Sequence, residues 1–131
     1  MRRVVITGVG AVAPIGIGKE PFWTNVKNGV CGVDTVSKFD ASEFACQIGA
    51  EVKGFEPEQF LDKKEAKRMD RYTQFAMASS KMAIEDAKLD MEKEDKDKVG
   101  VIIASGIGGI ETLENQASVL ANKESARFLS Q

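Results

Sequence analysis

The largest gap among the residues that could do chemistry is histidine, of which the chain has none. Acid–base catalysis near neutral pH most often uses an imidazole, so any proton transfer would fall to carboxylates, lysines or thiols. Cys31 and Cys46 are the only cysteines, and neither stands in a C-x-x-C arrangement. A thiol becomes a nucleophile where a helix N-terminus, a cation or a base stabilises its thiolate. Neither cysteine has that setting, so both read as free thiols that serve as small packing residues. A tetrahedral zinc site would need two further soft ligands, and no metal or cofactor is expected. Glu111 and Glu114 read as helix-start charges favourable to the helix dipole rather than as an acid–base couple. No catalytic residue is assigned.

Three motifs remain that could bind something. Lys64, Lys67, Arg68 and Arg71 recur at i, i+3, i+4 and i+7, which places them on one face of a helix, with Lys63 beside them. Two readings stand side by side: a solvated face with Asp62, Glu65 and Asp70 as local partners, or a docking patch for an acidic protein or a phosphate. Gly8-x-Gly10-x-x-Ala13 follows an apolar run and matches the glycine spacing of dinucleotide-binding loops. That loop works by starting a helix whose N-terminus meets the pyrophosphate, but Pro14-Ile15-Gly16-Ile17-Gly18 occupies the place of the helix. Asp34, near the expected position of a ribose-binding acid, has no convincing strand leading to it. A tight turn is the better reading. The third motif is Ser105-Gly106-Ile107-Gly108-Gly109, three glycines in the last four residues. Glycines let backbone approach a ligand closely, and Ile107 held between them is placed to line or gate a narrow pocket.

The elements that must position these motifs alternate between strand and helix. Residues 3–7 and 99–104 are apolar, β-branched runs suited to burial on both faces. Each opens onto glycines, and a long helical segment joins them, so a parallel pair with a crossover is expected in an α/β fold. Residues 21–27 read as a short helix with Phe22, Trp23 and Val26 on its inner face and Gly29 after its end. Residues 32–54 form an irregular excursion in which 47–53 could be a strand. The clearest helix lies within 60–89, where Tyr72, Phe75, Ala76, Ser79, Met82, Ala83 and Ala87 recur at three and four residues. Residues 90–98 are a charged connection, and a second helix starts at Ile110.

At 131 residues the chain has the length of one domain, with a net charge of −2, 43% hydrophobic and 29% charged residues. That charge offers no general attraction to nucleic acid or an anionic membrane. No apolar run reaches the roughly 18 residues of a membrane span, and the start has no signal-peptide core. A cytoplasmic protein is expected.

Four segments in order carry a resemblance: RRVVITGVGAVAPIG at the start, FDAS at Phe39–Ser42, the stretch Asp62–Ala87, and VGVIIASGIGGIETLE from Val99. Together they resemble β-ketoacyl-(acyl-carrier-protein) synthase II, the elongating condensing enzyme of bacterial fatty acid synthesis. The likeness is collinear from Arg2 to about Asn122 and covers the opening third or so of the family's usual chain. It implies a thiolase-like fold of two related α/β halves in α-β-α-β-α layers, working as a homodimer. Such enzymes move an acyl chain from carrier protein to a cysteine, decarboxylate malonyl-carrier protein and join the two by Claisen condensation. The resemblance implies that the nucleophile and both assisting histidines lie beyond Gln131, so that residues 1–131 are the N-terminal portion of the first half, inactive alone.

Residue by residue, the resemblance places Ile107, with Gly106 and Gly108, at the narrowing of the acyl pocket. It places Lys64, Lys67, Arg68 and Arg127 on the surface that receives the acidic acyl carrier protein. Residues 124–131 depart from the family's usual Gly-Pro and Ser-Pro-Phe-Phe. Two other functions are kept beside this one: a non-catalytic carrier-protein binding module using the same basic face, and a nucleotide-dependent reductase using Gly8–Ala13.

Overall fold

The structure is a computed structural model and describes residues 2–122. The chain order is β1 (Val12–Ala13), β2 (Gly16–Ile17), α1 (Lys19–Lys27), β3 (Asp34–Thr35), β4 (Ile48–Gly49), α2 (Lys63–Ala66), α3 (Arg71–Ala87) and α4 (Ile110–Ala121). Short 3-10 turns lie at Pro57–Gln59 and Lys96–Lys98. Both strand pairs are antiparallel: Val12 faces Ile17 in one, and Asp34 faces Gly49 in the other.

The central support is α3. It ends as helices often do, on a residue in left-handed conformation: Lys88 has φ 52°, and Leu89 N–H donates to the Ile84 carbonyl. Its alanines and serine admit backbone at close range. A Cβ built on Gly10 would stand 2.8 Å from Ala83 N, and one on Gly8 would stand 2.7 Å from Ala87 Cβ. The glycines at 8 and 10 are therefore used in packing against α3. After them the chain turns into the β1–β2 hairpin, and the next helix, α1, starts only at Lys19. No helix N-terminus stands where a dinucleotide loop needs one, and Asp34 is paired with Lys53 at 3.0 Å. The contact is fastened by Asp86 of α3, which accepts from Val9 N–H at 2.9 Å and pairs with Lys19.

The core gathers at the N-terminal end of α3, around Phe75. Phe55 is 5% exposed, stacked on Phe60 at 5.7 Å and set edge-on to Phe75 at 4.9 Å. Among the described residues, Leu61, Ala66, Ala41 and the fully buried Ala78 complete the set of buried apolar residues. Aromatic pairs of this kind contribute about 0.5–1.5 kcal/mol each beyond area burial.

Four expectations are corrected. Residues 3–7 and 99–104 form no ladder with any described residue, so the parallel pair is not formed. A buried parallel pair needs cover on both faces, and Val4, Ile6, Val101 and Ile102 are instead widely exposed. The helix within 60–89 is two helices. Asp62 caps α2 by accepting from the backbone of Lys64 and Glu65, and Asp70, at ψ 155°, interrupts the helical path before α3. Trp23 is 55% exposed rather than turned inward, and α1 starts two residues earlier than expected, after Gly18 at φ 94°.

Candidate functional site

The break between α2 and α3 rearranges the basic set. Lys64 lies on α2, Lys67 is its C-cap, and Arg68 follows in the turn, all three exposed. None of the three makes an ion pair among the described residues, whereas Lys63 pairs with Glu58 at 3.3 Å. Arg71 leaves the group, so the shared face of one continuous helix is corrected. Its guanidinium lies 4.8 Å from the ring centroids of both Phe55 and Phe75 and donates to the Phe55 carbonyl at 3.4 Å. A cation between two rings is partly desolvated and held. It is structural glue, not a free docking charge.

Gln74 braces the turn from below. Its Nε2 donates to the carbonyls of Ala66 at 2.8 Å and Met69 at 3.3 Å, and its Oε1 accepts from Arg71 at 3.2 Å. The Ala66 carbonyl also accepts from Met69 N–H at 3.2 Å, and both carbonyls lie where the regular ladder of α2 ends. The three cations therefore project from α2 and the turn after it, whose backbone is held by a side chain of α3.

The glycine loop adjoins this turn. Gly108 takes φ 80°, in the left-handed region that favours glycine, and its N–H donates to Ser105 Oγ at 3.0 Å. Gly109 begins α4, its carbonyl accepting from Leu113 N–H at 3.0 Å. A Cβ there would stand 2.6 Å from Cγ of Asp70, and Thr112 Oγ1 donates to the same carboxylate. A cleft of about 560 Å³ runs between the start of α3 and the start of α4. Its walls include Lys38, Met69, Tyr72, Phe75, Gly108 and Asn115. Gly106 and Ile107 do not line it, and Ile107 is 76% exposed.

Cys31 and Cys46 are exposed free thiols, their sulfurs near the Val33 and Ile48 carbonyls at 3.8 and 3.6 Å. No group of three or more histidine, cysteine, aspartate or glutamate residues among the described residues is placed to hold a metal ion. No described helix is long and apolar enough to cross a membrane. Arg127 lies outside the described residues.

Comparison with known families decides how this arrangement is read. The family described as "Beta-ketoacyl synthase, N-terminal domain" matches residues 1–130. The chain belongs to the β-ketoacyl synthase family. It is 47% identical over 126 residues to 3-oxoacyl-(acyl-carrier-protein) synthase 2 of Synechocystis, covering 96% of this chain and 30% of that protein. The protein of the same name from Staphylococcus aureus strain COL is 43% identical over 122 residues, 93% of this chain and 30% of its own. Among solved structures, the ishigamide ketosynthase/chain length factor superposes with a TM-score of 0.76 at 28% identity, over 94% of this chain and 31% of the other. The architecture is the N-terminal portion of the ketosynthases' layered, thiolase-like α/β fold. The chain spans about a third of the length of the curated relatives it matches.

Sequence periodicity marks the apolar faces of this β-ketoacyl synthase chain but passes over Asp70 and Gln74. A signal for each exists. An aspartate immediately before an apolar-periodic helix is a helix-start residue, and a glutamine between Tyr72 and Phe75 is a polar group that needs partners.

Proposed function

We propose that the chain is the N-terminal portion of a 3-oxoacyl-(acyl-carrier-protein) synthase that elongates fatty acyl chains in the cytoplasm as a homodimer. The observation that carries this reading is the 47% identity, across nearly the whole chain, to a synthase of that name. The surface of the chain supports it. A folded monomer of 14.2 kDa exposes roughly 6,800 Å², and this chain exposes 10881 Å². Apolar residues 3–7 and 99–104 contribute to that excess, as strands awaiting neighbours would.

In the complete synthase an acyl group passes from the carrier thioester to a cysteine thiol, releasing the carrier thiol. Malonyl-carrier protein then loses carbon dioxide. The resulting carbanion attacks the acyl-enzyme carbonyl, a carbon–carbon bond forms, the carbon–sulfur bond breaks, and the cysteine leaves as thiolate. The family resemblance places the reacting cysteine and both histidines beyond residue 131, in keeping with a chain that has no histidine.

What this chain does is bind and position. Lys64, Lys67 and Arg68, with Arg127 further along, receive the acidic carrier protein, and the charge of the first three is available because none of them is ion-paired among the described residues. Ile107, flanked by Gly106 and Gly108, borders the acyl chain once the rest of the pocket surrounds the loop. No cofactor takes part.

The test is turnover. The complete protein, given acyl- and malonyl-carrier protein, is expected to release one carbon dioxide per 3-oxoacyl-carrier protein formed, and residues 1–131 alone are expected to do neither step. Turnover by residues 1–131 alone would refute the reading. Carrier binding by the complete protein without turnover would favour a non-catalytic binding module instead.

A further inference from the structure

The carboxylate of Asp70 stands at the junction of two segments far apart in sequence, and nothing in the condensation chemistry requires it there. On one side it belongs to the docking turn. It follows Arg68 by two residues, its own carbonyl accepts from Gln74 N–H at 3.0 Å, and Gln74 Nε2 holds the carbonyls of Ala66 and Met69. On the other side its oxygens leave α3 altogether. Although Asp70 occupies the N-cap position of α3, its side chain makes no capping bond to that helix. It accepts instead from Thr112 Oγ1 in the first turn of α4, and it fills the space a side chain at Gly109 would need. An aspartate at an N-cap normally satisfies its own helix's free N–H groups, so forgoing that bond in favour of α4 points to a different role.

From these contacts, and resting on the ketosynthase reading above, we infer that Asp70 is a positioning residue that latches the carrier-docking turn to the glycine loop. The Asp70–Thr112 bond makes the placement of Ile107 depend on the placement of Lys64, Lys67 and Arg68. The route is short. The turn moves as a unit because Gln74 braces it, and Asp70 carries that movement to Gly109 and Thr112. Ile107 lies two residues before Gly109 and is tied to it through Gly108, whose N–H is bound to Ser105 Oγ. A carrier protein that pulls on the three cations therefore also sets the loop. The physical content is a coupling between two sites through one contact with two ends, which substitution at either end should break.

Hydrogen–deuterium exchange of the complete protein, read over residues 105–113, tests the latch without relying on catalysis. The reporting amides are Gly108, Ile110 and Leu113, which donate to Ser105 Oγ and to the carbonyls of Gly108 and Gly109. Thr112→Val keeps the side-chain shape and removes the hydroxyl, so losing a hydrogen bond to a charged group is expected to speed their exchange roughly tenfold. Thr112→Ser is expected to restore it, and Asp70→Asn, which keeps an acceptor oxygen without the charge, to fall between. Saturating acyl carrier protein is then expected to slow exchange over 105–113 by about fivefold or more in the wild type and in Thr112→Ser, but not in Thr112→Val. Exchange in Thr112→Val equal to wild type without carrier would overturn the latch, as would carrier protection equal in all variants. Failure of carrier protein to bind the wild type would sink the docking reading and the coupling together, while exchange measured without carrier still judges the Asp70–Thr112 contact.

Discussion

Gly10 shows how one missing side chain sets the approach of a segment to a helix. An alanine there would press its Cβ into the carbonyl of Ser79 and to 2.8 Å of Ala83 N, both backbone atoms of α3 that cannot swing away. Overpacking against rigid neighbours costs about 1–3 kcal/mol. Gly10→Ala is therefore expected to lower the unfolding free energy by at least about 1 kcal/mol, read from the denaturant midpoint. Asp86 works at the same contact through charge. The Lys19 ammonium, then the Val9 N–H, hold its carboxyl below the usual carboxylate range, and the hydrogen bond to Asp86 raises Lys19 above the usual lysine range. The Asp86 contribution is present above the ordinary carboxylate range and is lost as pH falls below it. The Lys19 contribution is present up to the ordinary lysine range and is lost as pH climbs beyond it. Asp86→Asn is expected to flatten the acid limb of the stability–pH curve and leave the neutral region level. An unchanged acid limb would show that the pair contributes nothing.

At the scale of elements, what periodicity reports is a face turned from solvent, and for α3 that face is half-buried while the one fully buried residue, Ala78, falls outside the repeat. The repeat Phe75, Ala76, Ser79, Met82, Ala83 marks α3, and Gly29, at φ 66°, closes α1 as expected. The turn at 67–70 is different. Nothing in the spacing of Lys64, Lys67, Arg68 and Arg71 distinguishes one helix from two, because the interruption depends on where side chains of other segments satisfy backbone groups. Asp62 and Gln74 each supply such a group, while the Asp70 carboxylate turns away to Thr112. Arg71 has the same charge as its neighbours and a different fate, decided by Phe55, sixteen residues away in sequence. Residues 3–7 and 99–104 were legible as apolar runs, but pairing is a property of the neighbours and not of the run itself. The short helix α2 depends on its cap for existence. Asp62→Ala removes the acceptor for Lys64 N–H at 2.8 Å, which is expected to cost about 1 kcal/mol and to weaken carrier binding by loosening Lys64 and Lys67. The checks are denaturant unfolding and carrier titration of the same variant, and unchanged carrier affinity would separate α2 from docking.

For the whole molecule, the balance of charge matters more than its total. A net charge of −2 would repel an acidic partner weakly if spread evenly. The chain instead leaves three cations together on one braced turn, while Lys93, Lys96 and Lys98 are matched to acids within four residues. The family and its architecture were legible from four motifs in order, and the proposed docking residues rest on those motifs rather than on spacing. The corner formed by Asp70, Gln74 and Thr112 was not, because its partners lie up to 42 residues apart.

The most direct measurement is the affinity of the complete protein for acyl carrier protein, wild type against Lys64→Glu, Lys67→Glu, Arg68→Glu, at low and physiological salt. Exposed pairs contribute up to about 1 kcal/mol each, and 1.4 kcal/mol is about tenfold in affinity. The triple variant is therefore expected to bind at least about tenfold more weakly at low salt, with a much shallower salt dependence. Equal affinity and equal salt dependence in the two proteins would contradict the account.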